Sequence, residues 1–145
     1  MSQSNEFKAA LSSAGFTGDL IIPGDSEYES AIARFAKNAK RNAGLVAFVK
    51  SAEDVSKVIK FANSGSSAQI PVVIRGGGHS PSGCSSTEGG IVIDLSRYLN
   101  TVRVDAEKKL AYAGGGAVWG TVDKESIQHG LATPSGGFHL TGVGG

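Results

Sequence analysis

Apolar residues recur along this chain with two different periods, and the switches between them mark its elements. Phe7, Ala10, Leu11 and Ala14 stand at i, i+3, i+4 and i+7, which predicts an amphipathic helix over residues 4–14 that stops at Gly15. Asp19-Leu20-Ile21-Ile22 reads as a short strand closed by Pro23-Gly24. Asp25 or Ser26 then caps a predicted helix running to about Lys40, with Tyr28, Ile32, Phe35 and Ala36 on its buried face. Lys37, Lys40 and Arg41 form its solvated end, where cations suit the helix dipole. Gly44 precedes a strand at 45–49. Ser51 and Asp54 make a loose capping box, with Asp where Glu or Gln is preferred. The helix they open carries Val55, Val58, Ile59 and Ala62 on one face and stops near Gly65. The run Pro71-Val72-Val73-Ile74 is the next strand.

Strand, helix, strand at this spacing is a βαβ unit, so strands 45–49 and 71–74 are expected to be parallel. A further apolar run, Ile91-Val92-Ile93, leads to Asp94-Leu95-Ser96. Residues 101–105 and 109–113 read as an antiparallel hairpin around Ala106-Glu107-Lys108, followed by a helix from about Val118 to His129 that Gly130 ends. The expected fold class is therefore α+β: a small parallel α/β subdomain over residues 20–95, then the start of an antiparallel subdomain. Ligands of parallel sheets gather at the carboxyl ends of the strands. A glycine loop, Gly76-Gly77-Gly78, begins at the carboxyl end of strand 71–74.

Composition narrows the function classes. A length of 145 residues supports one domain with a proper core. The net charge of +1, from 14 basic and 13 acidic residues without a like-charge run, suggests neither nucleic acid nor a membrane surface as a partner. The N-terminus is polar and lacks the pattern of a signal peptide, and the single cysteine fits a reducing compartment, so a cytoplasmic location is expected. Glycine is the outlier: 16 of the 21 lie in residues 76–145. Val/Ile strands separate these clusters, so the second half of the chain reads as a ligand-approach half.

The chemistry concentrates in Arg75-Gly76-Gly77-Gly78-His79-Ser80-Pro81-Ser82-Gly83-Cys84. Glycine lets successive N–H groups converge on an anion without Cβ clashes. Gly78-x4-Gly83 is followed by Cys84-Ser85 rather than Lys-Ser/Thr, so this is not a P-loop with its lysine clamp. No G-x-G-x-x-G follows the first strand, which disfavours a Rossmann-type nicotinamide site. A diphosphate needs less charge neutralisation, and backbone N–H groups with Arg75 nearby can supply it. His79 is the nucleophilic side chain of the loop. Cys84 reads as a small loop residue, His129 as a helix-end residue, and His139, Trp119 and Tyr112 as structural. No metal site is expected.

Arg75-Gly-Gly-Gly-His79-Ser, Gly83 four residues later, then Gly89-Gly90 and a strand ending Asp94-Leu95-Ser96 resemble the PCMH-type FAD-binding domain of the flavin oxidases, a family that includes vanillyl-alcohol oxidase, p-cresol methylhydroxylase, 6-hydroxynicotine oxidase and the berberine-bridge enzymes. The resemblance runs from about Leu45 to Gly145. It implies a PCMH-type fold with an N-terminal helical segment over 1–40 and the FAD-binding domain over 41–145. It also implies FAD as cofactor, bonded covalently through His79. The 8α methyl of an oxidised flavin becomes electrophilic on losing a proton, and a neutral imidazole nitrogen can add to it. By resemblance the cofactor-binding residues are Arg75, Gly76, Gly77, Gly78, His79, Ser80, Gly83, Gly142, Gly144 and Gly145, with Pro134 and Gly136 in a segment passing near the flavin. Doubly linked members carry a cysteine four residues before the first glycine of a G-x-G-G stretch; that position is Phe138, so no second link is expected. The sequence stops inside this glycine motif and is expected to be incomplete at its C-terminus. The implied activity of the whole protein is an FAD-linked oxidation of a small organic molecule by hydride transfer, with dioxygen as acceptor. Its substrate domain and catalytic residues would lie outside these residues. A non-catalytic flavin-binding fragment and a flavin-free anion-binding scaffold are the alternative readings.

Overall fold

The computed structural model describes residues 2–64 and 69–144. Gly65 and Gly145, which the sequence assigns to a helix stop and to the cofactor site, lie outside the described residues. Helix α1 (Gln3–Ser13) is opened by Ser2, whose hydroxyl accepts from the Asn5 N–H, and buries Phe7 and Leu11. Strand β1 (Asp19–Ile21) follows, then a single turn α2 (Tyr28–Ala31), a 3-10 turn at Lys37–Ala39, strand β2 (Leu45–Phe48) and helix α3 (Ala52–Asn63). Strands β3 (Val72–Arg75) and β4 (Ile91–Asp94) complete one sheet. Strands β5 (Val102–Asp105) and β6 (Leu110–Ala113) form a second, and helix α4 (Trp119–Ile127) packs beside it.

The first sheet has the order β1-β2-β4-β3. Both β2 and β3 run parallel to β4, so they are parallel to each other, with β4 inserted between them. β1 closes the other edge in antiparallel register, Leu20 opposite Ala47. The two central strands are buried on both faces, which accounts for their continuous apolar runs. Alternation then sorts their side chains. Leu45, Ala47, Val49, Ile91 and Ile93 join Phe7, Leu11 and Val58 on the face covered by α1 and α3. Val46, Phe48 and Val92 meet Tyr28, Ala31 and Ile32 on the other. Each of the Val, Leu, Ile and Phe side chains among them contributes about 1.5–3 kcal/mol by leaving water. The result is a mixed α/β fold in which a parallel unit precedes an antiparallel one. Among the described residues no helix is long and apolar enough to cross a membrane.

One predicted element differs. The helix expected from residue 25 or 26 to about 40 is only the α2 turn and the later 3-10 turn. The Asp25 carboxylate accepts from Lys8 and from the Ile22 N–H and does not cap it. Bonds within the segment and bonds to the distant 76–85 loop together hold the break. Arg34 donates to the carbonyls of Ala31 and Ala33, taking acceptors a continuing helix needs. The Phe35 N–H turns away to the carbonyl of Gly78 at 3.1 Å. Tyr28 and Ile32 are buried as expected, but Phe35 is 62% exposed, contrary to its predicted place on a buried face.

The capping box is also only half formed. Ser51 accepts from the Asp54 N–H at 3.3 Å. The Asp54 carboxylate reaches outside the helix, accepting from the Thr17 N–H and hydroxyl and from the Lys50 N–H. At the end of α4, Gly130 takes a positive φ of 66° while the Leu131 N–H donates to Ser126, a glycine-terminated helix end.

Candidate functional site

The carboxyl ends of β3 and β4 carry Arg75 and Asp94, paired across the sheet register. Their side chains meet at 2.8 Å, and the carboxylate is fully buried. Its other oxygen accepts from the Ser96 N–H and hydroxyl, at 2.8 and 2.6 Å. Directly after Arg75 the chain enters the glycine loop. None of the backbone N–H groups of residues 76–80 and 82–85 donates to an acceptor among the described residues. These donors are free to converge on an anion.

A second arginine, which the sequence reading missed, supports the loop from below. Arg34 is buried and donates to the Ser85 carbonyl through Nε and Nη2, at 3.2 and 2.6 Å. Burial, and then the charge of Arg75, pushes its pKa down to about 10, against the opposing pull of Asp94. Two guanidinium groups and one carboxylate thus leave a net positive charge beneath the loop. The signal available in the sequence was only an arginine in a segment of helical pattern.

His79 follows the three glycines, and its Nε2 is buried without a hydrogen-bond partner among the described residues. Its imidazole stacks on Phe35 with ring centroids 3.9 Å apart and planes at 16°. Phe138 approaches edge-on at 5.5 Å. Four of the buried side-chain atoms that lack a partner among the described residues belong to this neighbourhood: Arg75 Nε, His79 Nε2, Ser85 Oγ and Ser86 Oγ.

The loop lines a cleft of about 430 Å³ with Ile74, Gly76, Gly77, Gly78, His79, Ser80, Pro81, Cys84, Ser85, Thr141, Gly142 and Gly144. Gly76, Gly77, Gly78, His79, Ser80, Gly142 and Gly144 are therefore together, although Gly142 is more than sixty residues from Gly78. Segment 138–143 is tied to the start of α4 by the Trp119 N–H to Thr141, the Gly120 N–H to His139 and the Val143 N–H to Ala117. Arg75 lies under the loop, its Nε beneath Gly78, rather than in the lining. Gly83, at φ 80°, faces Ala39 and Arg41. Pro134 and Gly136 do not line the cleft; Gly136 lies against the Trp119 indole.

The glycine clusters have a use the sequence reading did not assign. A Cβ at Gly76 would come 2.7 Å from the Gly115 carbonyl oxygen, and one at Gly144 would come 2.6 Å from the same atom. Residues 76–77, 115 and 142–144 pack backbone against backbone, and the absence of Cβ atoms is what lets these stretches meet.

Cys84 is exposed at the rim, and the hydroxyls of Ser80 and Ser82 hold its thiol below its ordinary value. A second depression, of about 410 Å³ between α3 and the start of β3, is lined by Ile59, Ala62, Asn63, Gln69, Ile70, Pro71 and Val72 and offers no ionisable or nucleophilic side chain among the described residues.

Comparison with known proteins gives this arrangement relatives. Residues 43–145 match a family model described as an FAD binding domain. The chain is 33% identical over 119 residues to (R)-6-hydroxynicotine oxidase of Paenarthrobacter nicotinovorans, an alignment covering 82% of this chain and 25% of that protein. The crystal structure of 6-hydroxy-D-nicotine oxidase from Arthrobacter nicotinovorans superposes with a TM-score of 0.81 at 31% identity, over 88% of this chain and 27% of the other. Glucooligosaccharide oxidase from Acremonium strictum, described as carrying a 6-S-cysteinyl, 8α-N1-histidyl FAD, shares the fold with a TM-score of 0.81 at 24% identity, over 96% and 28% of the two chains. The chain spans about a quarter of the length of the relatives it matches.

Proposed function

Because this chain belongs to the FAD binding domain family, as the match over residues 43–145 shows, we propose that it is the cofactor-holding part of an FAD-linked oxidoreductase, with the diphosphate on the 76–85 loop and the flavin tethered at His79. One observation carries the reading. A run of backbone N–H groups without an acceptor among the described residues, the charges of Arg34 and Arg75 over a single buried carboxylate, and the His79 imidazole lie together at one end of the parallel sheet.

The residues present fit the cofactor. Loop donors at 76–80 and 82–85 suit a diphosphate, Arg34 and Arg75 supply positive charge beneath it, and Gly142 and Gly144 close the far wall without side chains. When bound, FAD supplies a ring system that accepts a hydride and a methyl carbon that can bond to histidine. The Phe138 side chain cannot form a second, thioether link. In the whole protein the substrate would be a small organic molecule oxidised at a C–H bond beside oxygen or nitrogen, with dioxygen as acceptor. The substrate pocket and the catalytic base would be supplied by residues beyond the cofactor-binding unit of 41–145. A free, exposed Cys84 thiol fits a reducing compartment such as the cytoplasm.

The test is flavin fluorescence of the acid-soaked denatured band, native against His79→Ala. A fluorescent native band and a dark variant band are expected. A variant that still carries flavin after denaturation would exclude His79 as the tether. Free FAD released from a dark native band would mean non-covalent binding, and none would overturn the cofactor reading.

A further inference from the structure

From the ring geometry around His79 we infer that Phe35 is a positioning residue for covalent attachment of the flavin. This inference rests on the reading of His79 as the attachment point. The rings of Phe35, His79 and Phe138 form a triangle with sides of 3.9, 5.5 and 6.1 Å, and only Phe35 is stacked face to face on the imidazole. Hydrophobic burial does not account for where Phe35 stands, since the residue remains 62% exposed. Its backbone is nonetheless fixed to the loop through the Gly78 carbonyl. The chain therefore holds a half-open phenyl ring against one face of the nucleophile, on the segment where the expected helix breaks.

The consequence concerns the imidazole's rotation. An unrestrained histidine χ2 is broad and roughly two-fold, so it presents either nitrogen. Stacked on Phe35, the ring keeps Nε2 buried, while Nδ1, which is not among the buried atoms and has no hydrogen-bond partner among the described residues, is the nitrogen left accessible. A nucleophile already ordered in its reacting orientation does not lose that freedom at the moment of reaction. The attachment exchanges one methyl C–H bond of FAD and the imidazole N–H for a single C–N bond. The two electrons and two protons released reduce dioxygen, the oxidant, to hydrogen peroxide.

The test incubates apo-protein with FAD in air and follows the flavin that survives denaturation, by band fluorescence and by mass, beside the dissociation constant of non-covalent FAD. The native protein is compared with Phe35→Ala, Phe35→Leu and Phe35→Trp. Because Phe35 is exposed, all three should melt as the native protein does. Attachment should slow by about three- to tenfold in the Ala and Leu variants, the range of an aromatic pair contact, and recover in the Trp variant. The dissociation constant should not change. A native rate in Phe35→Ala, with the native protein flavinylated, overturns the positioning role and leaves His79 as the tether. Equal losses of affinity and attachment rate also overturn it, making the ring a binding contact. No denaturation-resistant flavin on the native protein removes the attachment reading, and this inference with it.

Discussion

The backbones of Gly77 and Gly142 touch: a Cβ built on either glycine would come 2.6 Å from the amide nitrogen of the other. One lies in the loop after β3 and the other in the strip that follows α4. Their contact joins the parallel unit to the antiparallel one and sets the width of the cleft. Close approach of this kind is a use of glycine distinct from its tolerance of positive φ.

That contact predicts an asymmetry between glycines a few residues apart. Gly77→Ala or Gly142→Ala must push two backbones apart and should lower stability by about 1–3 kcal/mol, as overpacking does. Gly137→Ala meets nothing within 4 Å and should be near neutral. Chemical denaturation of the three variants measures this, and equal midpoints would refute the role assigned to the contact. The first two should also weaken FAD binding, because the displaced strip forms the wall of the same cleft.

The Arg34, Arg75 and Asp94 cluster makes a second prediction. Asp94 is the sole carboxylate among these buried groups, and Arg75 is bonded to it at 2.8 Å. Asp94→Asn should cost about 3 kcal/mol, because breaking a buried pair leaves a charge uncompensated. Arg34→Met should cost less in that background than in the native protein, because there it also removes repulsion between the guanidinium groups. The double-mutant cycle gives the coupling directly. Strict additivity of the two substitutions would contradict the electrostatic account.

Cys84 offers a test in solution without mutation. Its thiol is held below the ordinary value by Ser80 and Ser82 and stands exposed on the rim of the cleft. Alkylation by iodoacetamide should therefore show a midpoint below that of a free cysteine thiol titrated under the same conditions. Saturating FAD should protect it. Unprotected alkylation at a full FAD load would place the cofactor elsewhere.

The sheet was legible in the sequence because its signal is local. Val72–Ile74, Ile91–Ile93 and Leu45–Val49 are β-branched or apolar runs too short for helices and bounded by turn residues. The glycine loop and His79 were legible for the same reason. Arg34 and Phe35 were not. Their partners are Ser85, Gly78 and His79, about fifty residues ahead, and nothing within the 25–40 window shows that the helix must break to reach them. The purpose of the glycines was also hidden, since glycine that approaches a ligand and glycine that approaches another backbone read identically. Gly136 lies against Trp119 rather than in the cleft lining, a placement that no local pattern shows.

Asp54, which ties the start of α3 to the segment before β1, contributes to acid sensitivity. Burial raises its pKa, but the Thr17 N–H and hydroxyl, the Lys50 N–H and the charge of Lys57 together bring it below the ordinary value. As pH falls, the unfolded chain binds the proton first, at about pH 3.9. The stabilisation is thus fully present above that value and is lost as pH drops through the lower folded pKa. Asp19, lowered by Tyr98 and Arg97, adds to the same slope. Denaturation midpoints should hold steady near neutral pH and fall below about pH 4. Asp54→Asn keeps the shape but turns an amide toward donors, and should cost about 2 kcal/mol at pH 7. It should also flatten the acid decline, because the group that titrates is gone. An acid slope identical to that of the native chain would mean that the Thr17 and Lys50 bonds do not hold the ionised form.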